Sequence, residues 1–232
     1  MIPHADVAAR RAWIRERLDP IEAYDPSVEN VWRSDYDLNP GLKMDNPHAL
    51  RPAAVLIGLV ERGDTLNVIL TRRSDALRSH TGQIAFPGGR CDPGETPWGT
   101  ALREADEEVG LDPRFVEVAG LLHGYATVTG FYVTPVVGFV DPDCTLTANP
   151  DEVADVFETP FDFLMNPANH QRQHRDTPTG PRYFYAMPWN ERFIWGATAG
   201  MLRALYERLH PDVPTVGDDG VSPLGGSSHS LK

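Results

Sequence analysis

The sequence GGRCDPGETPWGTALREADEEVGL, residues 88–111, decides the fold because it joins a glycine turn to a helix with recognisable ends. Thr96 can cap the start of that helix, and Pro97 suits its first position, where the missing N–H of proline costs nothing. Gly110 suits the left-handed residue that commonly follows the last turn of a helix. The pattern therefore predicts a helix from Pro97 to Val109.

Helical geometry sorts the side chains of this predicted helix into an apolar stripe and an acidic face. At about 100° per residue, the stripe consists of Trp98, Ala101, Leu102, Ala105 and Val109. Glu104, Glu107 and Glu108 group on a neighbouring face, whereas Asp106 points elsewhere. The helix thus offers one side to a hydrophobic core and three carboxylates to a different neighbour.

The three glutamates repel one another, and they crowd the C-terminal half of the helix, where the helix dipole is already negative. An oxygen-binding cation such as Mg²⁺ or Mn²⁺ against that face would reverse the sign of these interactions, which predicts a metal site. The alternative is a solvated charged face, in which Arg103 offsets Glu107 one turn away. The acids alone do not decide between these two interpretations.

The composition favours one acidic globular domain with extensions. Of the 232 residues 41% are hydrophobic, and we predict a helix with an irregular extension over residues 1–50, a domain over 51–210 and a flexible tail over 211–232. The net charge of −12 argues against a nucleic-acid or membrane-surface binder, although local arginines can still bind a nucleotide. Two cysteines without a C-x-x-C motif, and the lack of a signal peptide or long apolar run, lead us to expect a cytoplasmic protein.

Apolar periodicity and turn residues predict the remaining elements. They are a helix over 6–18, a strandless stretch over 20–52, a hairpin of strands 53–60 and 66–71, paired strands 116–125 and 131–140, a strand or short helix near 157–164, and a helix over 192–209. Strands that alternate with helices suggest an α/β arrangement. His170 and His174 are assigned to an exposed polar loop rather than to a zinc pair. The aromatic residues of 183–189 either offer an adenine a stacking surface or belong to the core.

A basic cluster lies just before the glycine turn. Arg72, Arg73, Arg78 and His80 stand within nine residues of an otherwise acidic sequence, and the planar fork of arginine suits phosphate oxygens. The alternative is a loop held by surface salt bridges. Because the cluster neighbours the predicted metal face, and phosphoryl chemistry combines a metal with arginines, we predict that it binds phosphate.

Two motifs resemble those of a known family. Residues 89–111 resemble the Nudix box, G-x5-E-x7-R-E-U-x-E-E-x-G-U with U apolar, at every fixed position: Gly89, Glu95, Arg103, Glu104, Ala105, Glu107, Glu108, Gly110 and Leu111. Residues 69–89 are similar to the signature L-L-T-x-R-S-x-x-L-R-x-H-x-G-Q-I-A-F-P-G-G, which accompanies the box in coenzyme A pyrophosphatases. Only Ile69 differs from that signature.

The resemblance implies a Nudix-type α/β/α sandwich with a mixed β-sheet and a dependence on Mg²⁺ or Mn²⁺. Glu104 and Glu108 would be the main metal ligands, Glu107 a supporting ligand, and Gly89 would offer its backbone carbonyl. The general base would be either Glu104 or Glu152, a glutamate in a downstream loop. Glu152 is equally well explained as a solvent-exposed acid.

The resemblance also implies supporting and substrate-binding residues. Glu95 would pair with Arg103 to hold the loop against the helix, and Gly110 would end that helix. The substrate-binding residues would be Arg72, Arg73, Arg78, His80 and Gln83. The implied reaction is cleavage of coenzyme A or its acyl thioesters to adenosine 3′,5′-bisphosphate and 4′-phosphopantetheine or its acyl form.

Two alternatives remain open at the level of the sequence. The first is a Nudix hydrolase for another nucleotide, such as ADP-ribose, NADH or a dinucleoside polyphosphate. The second is a catalytically silent module that binds a nucleotide, although such a module has no physical reason to keep three mutually repelling carboxylates. For partners we expect a small nucleotide substrate, no nucleic acid and no membrane, with a homodimer left open.

Overall fold

The structure is a computed structural model, and it describes residues 6–26, 31–39, 41, 50–74 and 82–212. The helices are α1 Val7–Arg15, α2 Pro97–Val109, α3 Phe161–Leu164 and α4 Ala197–Leu209. The strands are β1 Val31–Ser34, β2 Arg51–Arg62, β3 Thr65–Arg73, β4 Ile84–Ala85, β5 Gly88–Arg90, β6 Val116–Leu121, β7 Gly124–Ala126, β8 Phe131–Val140, β9 Val153–Pro160, β10 Gln171–Thr177, β11 Gly180–Trp189 and β12 Arg192–Trp195.

The larger sheet is mixed and is built around β2. Its strands follow the order β1-β7-β8-β2-β3-β4, and β5, β6 and β9 pair with β2, β8 and β3. β2 runs parallel to β8 and antiparallel to β3, so the predicted hairpin of 53–60 and 66–71 is confirmed. Residues 56–60 of β2 are all buried, as expected for a strand that is covered on both faces.

Helices cover both faces of this sheet. On one face Ala101, Ala105 and Val109 of α2 pack in a core with Leu56 and Ile69. On the other face α1 and α4 contribute to a second core, which also contains β10–β12 residues such as Met187 and Ile194. β10, β11 and β12 form a separate antiparallel sheet. The predicted α/β/α sandwich with a mixed sheet is therefore confirmed.

Helix α2 has the predicted bounds and the predicted ends. The Thr96 hydroxyl accepts a hydrogen bond from the Gly99 N–H at 3.2 Å, and Pro97 occupies the first turn. Gly110 closes the helix in the left-handed conformation with φ of 65°. Local signals sufficed here because each end is fixed by residues within the helix and its caps.

The prediction of a strandless stretch over 20–52 is wrong. Residues Val31–Ser34 form β1, which runs parallel to β7 at the edge of the larger sheet, and β2 already begins at Arg51. The pairing of β1 with β7 joins segments about ninety residues apart in the sequence. Next to it, for example, the Asp35 N–H donates a hydrogen bond to the Ala126 carbonyl at 3.1 Å. A strand this short carries too few residues to show its period in the sequence.

Two other sequence predictions require correction. The predicted helix over 192–209 begins only at Ala197, because Gly196 takes φ of 65° and Arg192–Trp195 pair with β11 as β12. The predicted loop around His170 and His174 is largely strand β10, and His170 is 2% exposed with its Nε2 2.7 Å from the Leu164 carbonyl oxygen. Burial lowers the pKa of His170 to about 4.

The other predicted elements agree more closely with the structure. The segment 116–125 is divided into β6 and β7, and both pair antiparallel with β8 as predicted. Near 157–164 both predicted alternatives occur, because β9 ends at Pro160 and α3 follows at once. Helix α1 falls within the predicted range 6–18. The predicted flexible tail lies outside the described residues from 213 onward.

Candidate active site

Strand β5 holds the glycine turn against the start of β2. Gly88 pairs with Val55 and Gly89 with Ala54 in antiparallel register. A side chain on Gly88 would place its Cβ 2.4 Å from the Ala54 carbonyl oxygen, and one on Gly89 would stand 2.4 Å from Oε1 of Glu104. Both positions need glycine because the backbone lies directly against the sheet and against the Glu104 carboxylate.

Arg103 is the centre of an ion-pair network on α2. Its Nε donates to Glu95 at 2.8 Å, and its Nη1 donates to Glu104 at 2.9 Å and to Glu107 at 3.1 Å. Hydrogen bonds from Arg103, from the Asp92 N–H and from the Thr100 hydroxyl lower the pKa of Glu95 to about 2. The expected pair between Glu95 and Arg103 is present, and it fastens the loop before α2 to the helix.

Glu108 is a buried carboxylate with few partners. Glu108 is only 3% exposed, and its carboxylate accepts a hydrogen bond from the Gly88 N–H at 3.1 Å. The pKa of Glu108 is raised to about 7, mainly by burial and also by the charges of Glu104 and Glu152, while the Gly88 N–H and the charge of Arg73 act to lower it. An unpaired carboxylate of this kind is costly to keep in a folded protein.

Glu104 has a similar environment. Burial raises the pKa of Glu104, the hydrogen bond and charge of Arg103 lower it, and the charges of Glu107 and Glu152 raise it. Glu152 itself is exposed, and its backbone carbonyl accepts a hydrogen bond from the Ser74 N–H at 2.9 Å. The fold therefore brings Glu152, distant in the sequence, into the electrostatic range of Glu104 and Glu108.

The oxygen donors of this site are of the kind that a hard divalent cation binds. Among the residues that the structure describes, no three histidine, cysteine, aspartate or glutamate side chains converge as a preformed cage. Arg103 binds Glu104 and Glu107, while Gly88 binds Glu108, so each carboxylate is turned toward a protein donor. The chemistry nevertheless fits, because oxygen donors with raised pKa values are the groups that Mg²⁺ or Mn²⁺ would stabilise as anions.

The basic residues predicted upstream are divided by the sheet. Arg73 lies at the end of β3, where its charge reaches Glu108, and its buried Nε has no hydrogen-bond partner within the described ranges. Arg72, the preceding residue in the strand, lines a different cavity together with Asp155 and Arg192. The alternation of side chains along a strand explains why the two arginines separate. Arg78 and His80 lie outside the described residues.

A comparison with known families identifies the chain. A family model described as the NUDIX domain matches residues 49–178, which is more than half of the 232 residues. The chain belongs to the Nudix family. The matched range contains α2, the glycine turn and Glu152, so the site described above lies within the family's own domain.

Individual Nudix proteins are similar over most of their length. A protein named uncharacterized Nudix hydrolase NudL from Escherichia coli O7:K1 is 44% identical over 162 residues, 67% of this chain and 81% of that protein. A protein of the same name from Enterobacter sp. is 38% identical over 80% of this chain and 96% of its own length. The crystal structure of the Nudix hydrolase RenU from M. smegmatis gives a TM-score of 0.42 at 25% identity, over 48% of this chain and 71% of that one.

Family membership establishes the general chemistry. The chain is a Nudix hydrolase, a pyrophosphohydrolase of a nucleoside diphosphate derivative, and enzymes of this family generally use divalent metal ions. Within the described ranges, the helices are all too short or too polar to span a membrane.

A second feature of this Nudix domain was not predicted from the sequence. A cavity of about 500 Å³ is lined by Tyr183, Phe184, Tyr185 and Trp195, and by Arg33, Arg175, Arg182 and Arg203. Gln83, a predicted substrate-binding residue, lies in its wall. The core interpretation of residues 183–189 is confirmed for Ala186 and Met187, which are buried. Tyr183, Phe184 and Tyr185 line the cavity, and the stacking of an adenine on them stays a prediction. The turn sequence Thr-Pro-Thr-Gly at 177–180 was the one signal for this hairpin.

Proposed function

We propose that this Nudix hydrolase cleaves the diphosphate of coenzyme A or an acyl-coenzyme A. The products would be adenosine 3′,5′-bisphosphate and 4′-phosphopantetheine or its acyl form, with Mg²⁺ or Mn²⁺ as cofactor. The observation that supports this most directly is the position of Arg73, which belongs to the coenzyme A signature and whose charge reaches the buried carboxylate of Glu108.

Arg73 is suited to bind the diphosphate. Its backbone is fixed on both sides, because its N–H donates to the Gln83 carbonyl at 3.0 Å and its own carbonyl accepts from the Gly82 N–H at 3.3 Å. The buried Nε of Arg73 has no hydrogen-bond partner in the described part of the chain. A phosphate oxygen would supply the acceptor that this N–H lacks. The guanidinium would then hold a non-bridging oxygen beside the glutamates.

The glutamates would hold the metal and handle the proton of the attacking water. Glu104, Glu107 and Glu108 and the Gly89 carbonyl are the proposed ligands. A bound Mg²⁺ or Mn²⁺ would neutralise the phosphate oxygens and lower the pKa of water. Water attacks one phosphorus, the bond to the bridging oxygen breaks, and the other phosphate leaves with that oxygen. Glu104 and Glu152 are the two proposed acceptors of the water's proton.

Ion pairs and core packing suggest how the rest of the chain supports the proposed domain of residues 51–210. Arg10 of α1 pairs with Asp162 of α3, and Arg11 pairs with Glu61 of β2 at 2.7 Å. Ile14 is fully buried in the same core as α4. We propose that residues 1–50 form an extension packed on this domain, and a cytoplasmic location stays a prediction.

One alternative substrate class is favoured by a specific observation. The cavity next to Gln83 presents aromatic rings, on which the base of any nucleotide can stack. ADP-ribose, NADH and dinucleoside polyphosphates therefore remain candidates, and a panel of these substrates with Mg²⁺ or Mn²⁺ separates them from coenzyme A.

Product identification by mass spectrometry tests the proposal. Wild-type protein is incubated with coenzyme A and Mg²⁺ or Mn²⁺, with Glu108→Gln as the control. We expect adenosine 3′,5′-bisphosphate and 4′-phosphopantetheine from the wild type and intact coenzyme A from the variant. Intact coenzyme A in both samples, together with turnover of another nucleotide, would assign the enzyme to the alternative class.

A further inference from the structure

The cavity of about 500 Å³ lies between the edge of the larger sheet, the smaller sheet and the start of α4. Gly82 and Gln83 belong to its wall, and both are hydrogen-bonded to the backbone of Arg73. Arg73 in turn lies within electrostatic range of Glu108. The wall of the cavity is therefore linked to the proposed site of hydrolysis through the backbone of Arg73.

Two of the cavity's arginines are fixed by a buried acid. Glu207 of α4 has a fully buried side chain, and it binds Arg33 at 2.7 Å and Arg203 at 2.8 Å. The guanidinium of Arg203 also stands 5.7 Å from the ring centre of Tyr185. These two positive groups are held in place before any ligand arrives, so little side-chain entropy would be lost when an anion binds.

The other two arginines face each other across the hairpin of β10 and β11. Arg175 and Arg182 are direct partners in the antiparallel register, and both line the cavity. Like charges at directly opposed positions destabilise a strand pair. Neither makes an ion pair or a side-chain hydrogen bond within the described segments of the chain. An anion bound between Arg175 and Arg182 would attract both side chains and so offset their mutual repulsion.

The acids of the cavity are bound mainly by other groups, and Asp35 also lies within electrostatic range of Arg182. Asp35 accepts hydrogen bonds from the Tyr125 hydroxyl at 2.9 Å and from the Val128 N–H at 3.0 Å. Asp37 accepts from the N–H and the hydroxyl of Ser34 at 3.1 and 2.6 Å. Four arginines thus line the cavity against two acids, in a protein whose net charge is −12.

We propose that this cavity binds the nucleoside half of the substrate, with the base against its aromatic rings and a ribose phosphate monoester between Arg175 and Arg182. This rests on the proposed function, in which that monoester is the 3′-phosphate of coenzyme A. An acyl-pantetheine arm fits the cavity poorly, since it would cover Arg175 and Arg182 without supplying an anion to them. The assignment moves recognition of the 3′-phosphate from the signature at 69–89 to the β10–β11 hairpin.

Calorimetric titration with adenosine 3′,5′-bisphosphate tests the cavity directly, because this compound has no anhydride to be cleaved. We expect Arg175→Ala/Arg182→Ala to bind it about a hundredfold more weakly than the wild type, at about tenfold for each charged hydrogen-bond donor. Affinity for AMP, which lacks the 3′-phosphate, should be the same in both proteins. Unchanged binding of the bisphosphate, or an equal loss for AMP, would overturn the assignment.

A matched variant controls for the change in net charge. Arg15→Ala/Arg114→Ala removes two exposed arginines that pair with Glu117 and Asp112, away from the cavity, and should bind both nucleotides as the wild type does. Melting curves check folding: the Arg175→Ala/Arg182→Ala protein should melt at or above the wild-type temperature, because a like-charge pair has been removed.

Hydrolysis of coenzyme A, measured in parallel, separates this inference from the proposed function. If the wild type leaves coenzyme A intact but bisphosphate binding depends on the two arginines, the cavity assignment stands and the proposed substrate falls. If coenzyme A is hydrolysed but the double variant binds the bisphosphate normally, the cavity assignment falls and the proposed substrate stands.

Discussion

The acidic face of α2 and the hairpin of β10 and β11 both hold side chains of like charge close together, carboxylates on α2 and arginines on the hairpin. On α2 the charge of Glu104 raises the pKa of Glu108 and the charge of Glu107 raises that of Glu104, and on the hairpin Arg175 faces Arg182. Each region gives up some stability to hold like charges together, and each is explained by a ligand of opposite charge. The difference is that α2 carries its like charges one turn apart in the sequence, whereas the hairpin brings them together only by folding.

The largest expected effect is the loss of turnover when a glutamate of the acidic face of α2 is replaced. Glu108→Gln removes the buried carboxylate but keeps an oxygen that can accept the Gly88 N–H, so we expect a fall in kcat of about a thousandfold or more without loss of the fold. Asp106→Asn, an exposed position on the same helix, is the matched control and should keep wild-type activity. Steady-state assays of both variants against coenzyme A provide the measurement.

The next effect tests the close contact between the glycine turn and α2. In Gly89→Ala the new Cβ would meet the Glu104 carboxylate at 2.4 Å, so we expect turnover to fall by roughly tenfold to a hundredfold as the carboxylate is displaced. Gly41→Ala, where nothing lies within 4 Å of the new Cβ, should be neutral. Equal activity in both variants would mean that the position of Glu104 is not critical.

A third prediction concerns the pH dependence of stability in protein stripped of metal with EDTA. The pKa of Glu108 is about 7 when folded and 4.5 in its ordinary state, so the unfolded chain loses this proton first as the pH rises. The free energy of unfolding should therefore fall between about pH 4.5 and pH 7, by about 3 kcal/mol in total.

Glu108→Gln cannot undergo this titration. We expect the variant to be as stable as the wild type at pH 4 and more stable above pH 7, as measured by urea unfolding at each pH. Addition of Mn²⁺ should raise the melting temperature of the wild type and leave that of the variant nearly unchanged. A wild-type protein that is the more stable of the two at pH 8 without metal would contradict the raised pKa.

The smallest effect concerns the cap of α2. Thr96→Ala removes the acceptor of the Gly99 N–H, and we expect it to lower the free energy of unfolding by about 1 kcal/mol. Thr145→Ala, an exposed position in a loop, is the control and should change stability very little. Denaturant unfolding distinguishes this local contribution from the electrostatic one of Glu108.

Sequence reasoning succeeded where the determinants are local. The bounds of α2 follow from Thr96 and Gly110, and the grouping of the glutamates follows from the helical period. It failed for β1, which depends on pairing with β7, and for β12, where Phe193 and Ile194 continue the apolar stripe of α4 until Gly196 interrupts it. The hydrophobic period of a short segment does not show with which distant strand it will pair.

The same distinction applies to the site. The Nudix box placed Glu104, Glu107 and Glu108 on one helix, but the proximity of Glu152 and Arg73 to Glu108 depends on the pairing of β3 with β9. The arginine cavity draws on β1, β10, β11, β12 and α4, and no single stretch of the sequence contains its charges. A site assembled from several elements is visible only in the folded chain.

Steady-state kinetics with coenzyme A and dephospho-coenzyme A test most directly the claim that the two regions do separate work. Glu108→Gln should lose kcat on both substrates to the same extent, because it acts on the diphosphate that both contain. Arg175→Ala/Arg182→Ala should raise KM for coenzyme A by about a hundredfold and leave dephospho-coenzyme A unaffected. Equal losses on both substrates in the arginine variant would contradict the account.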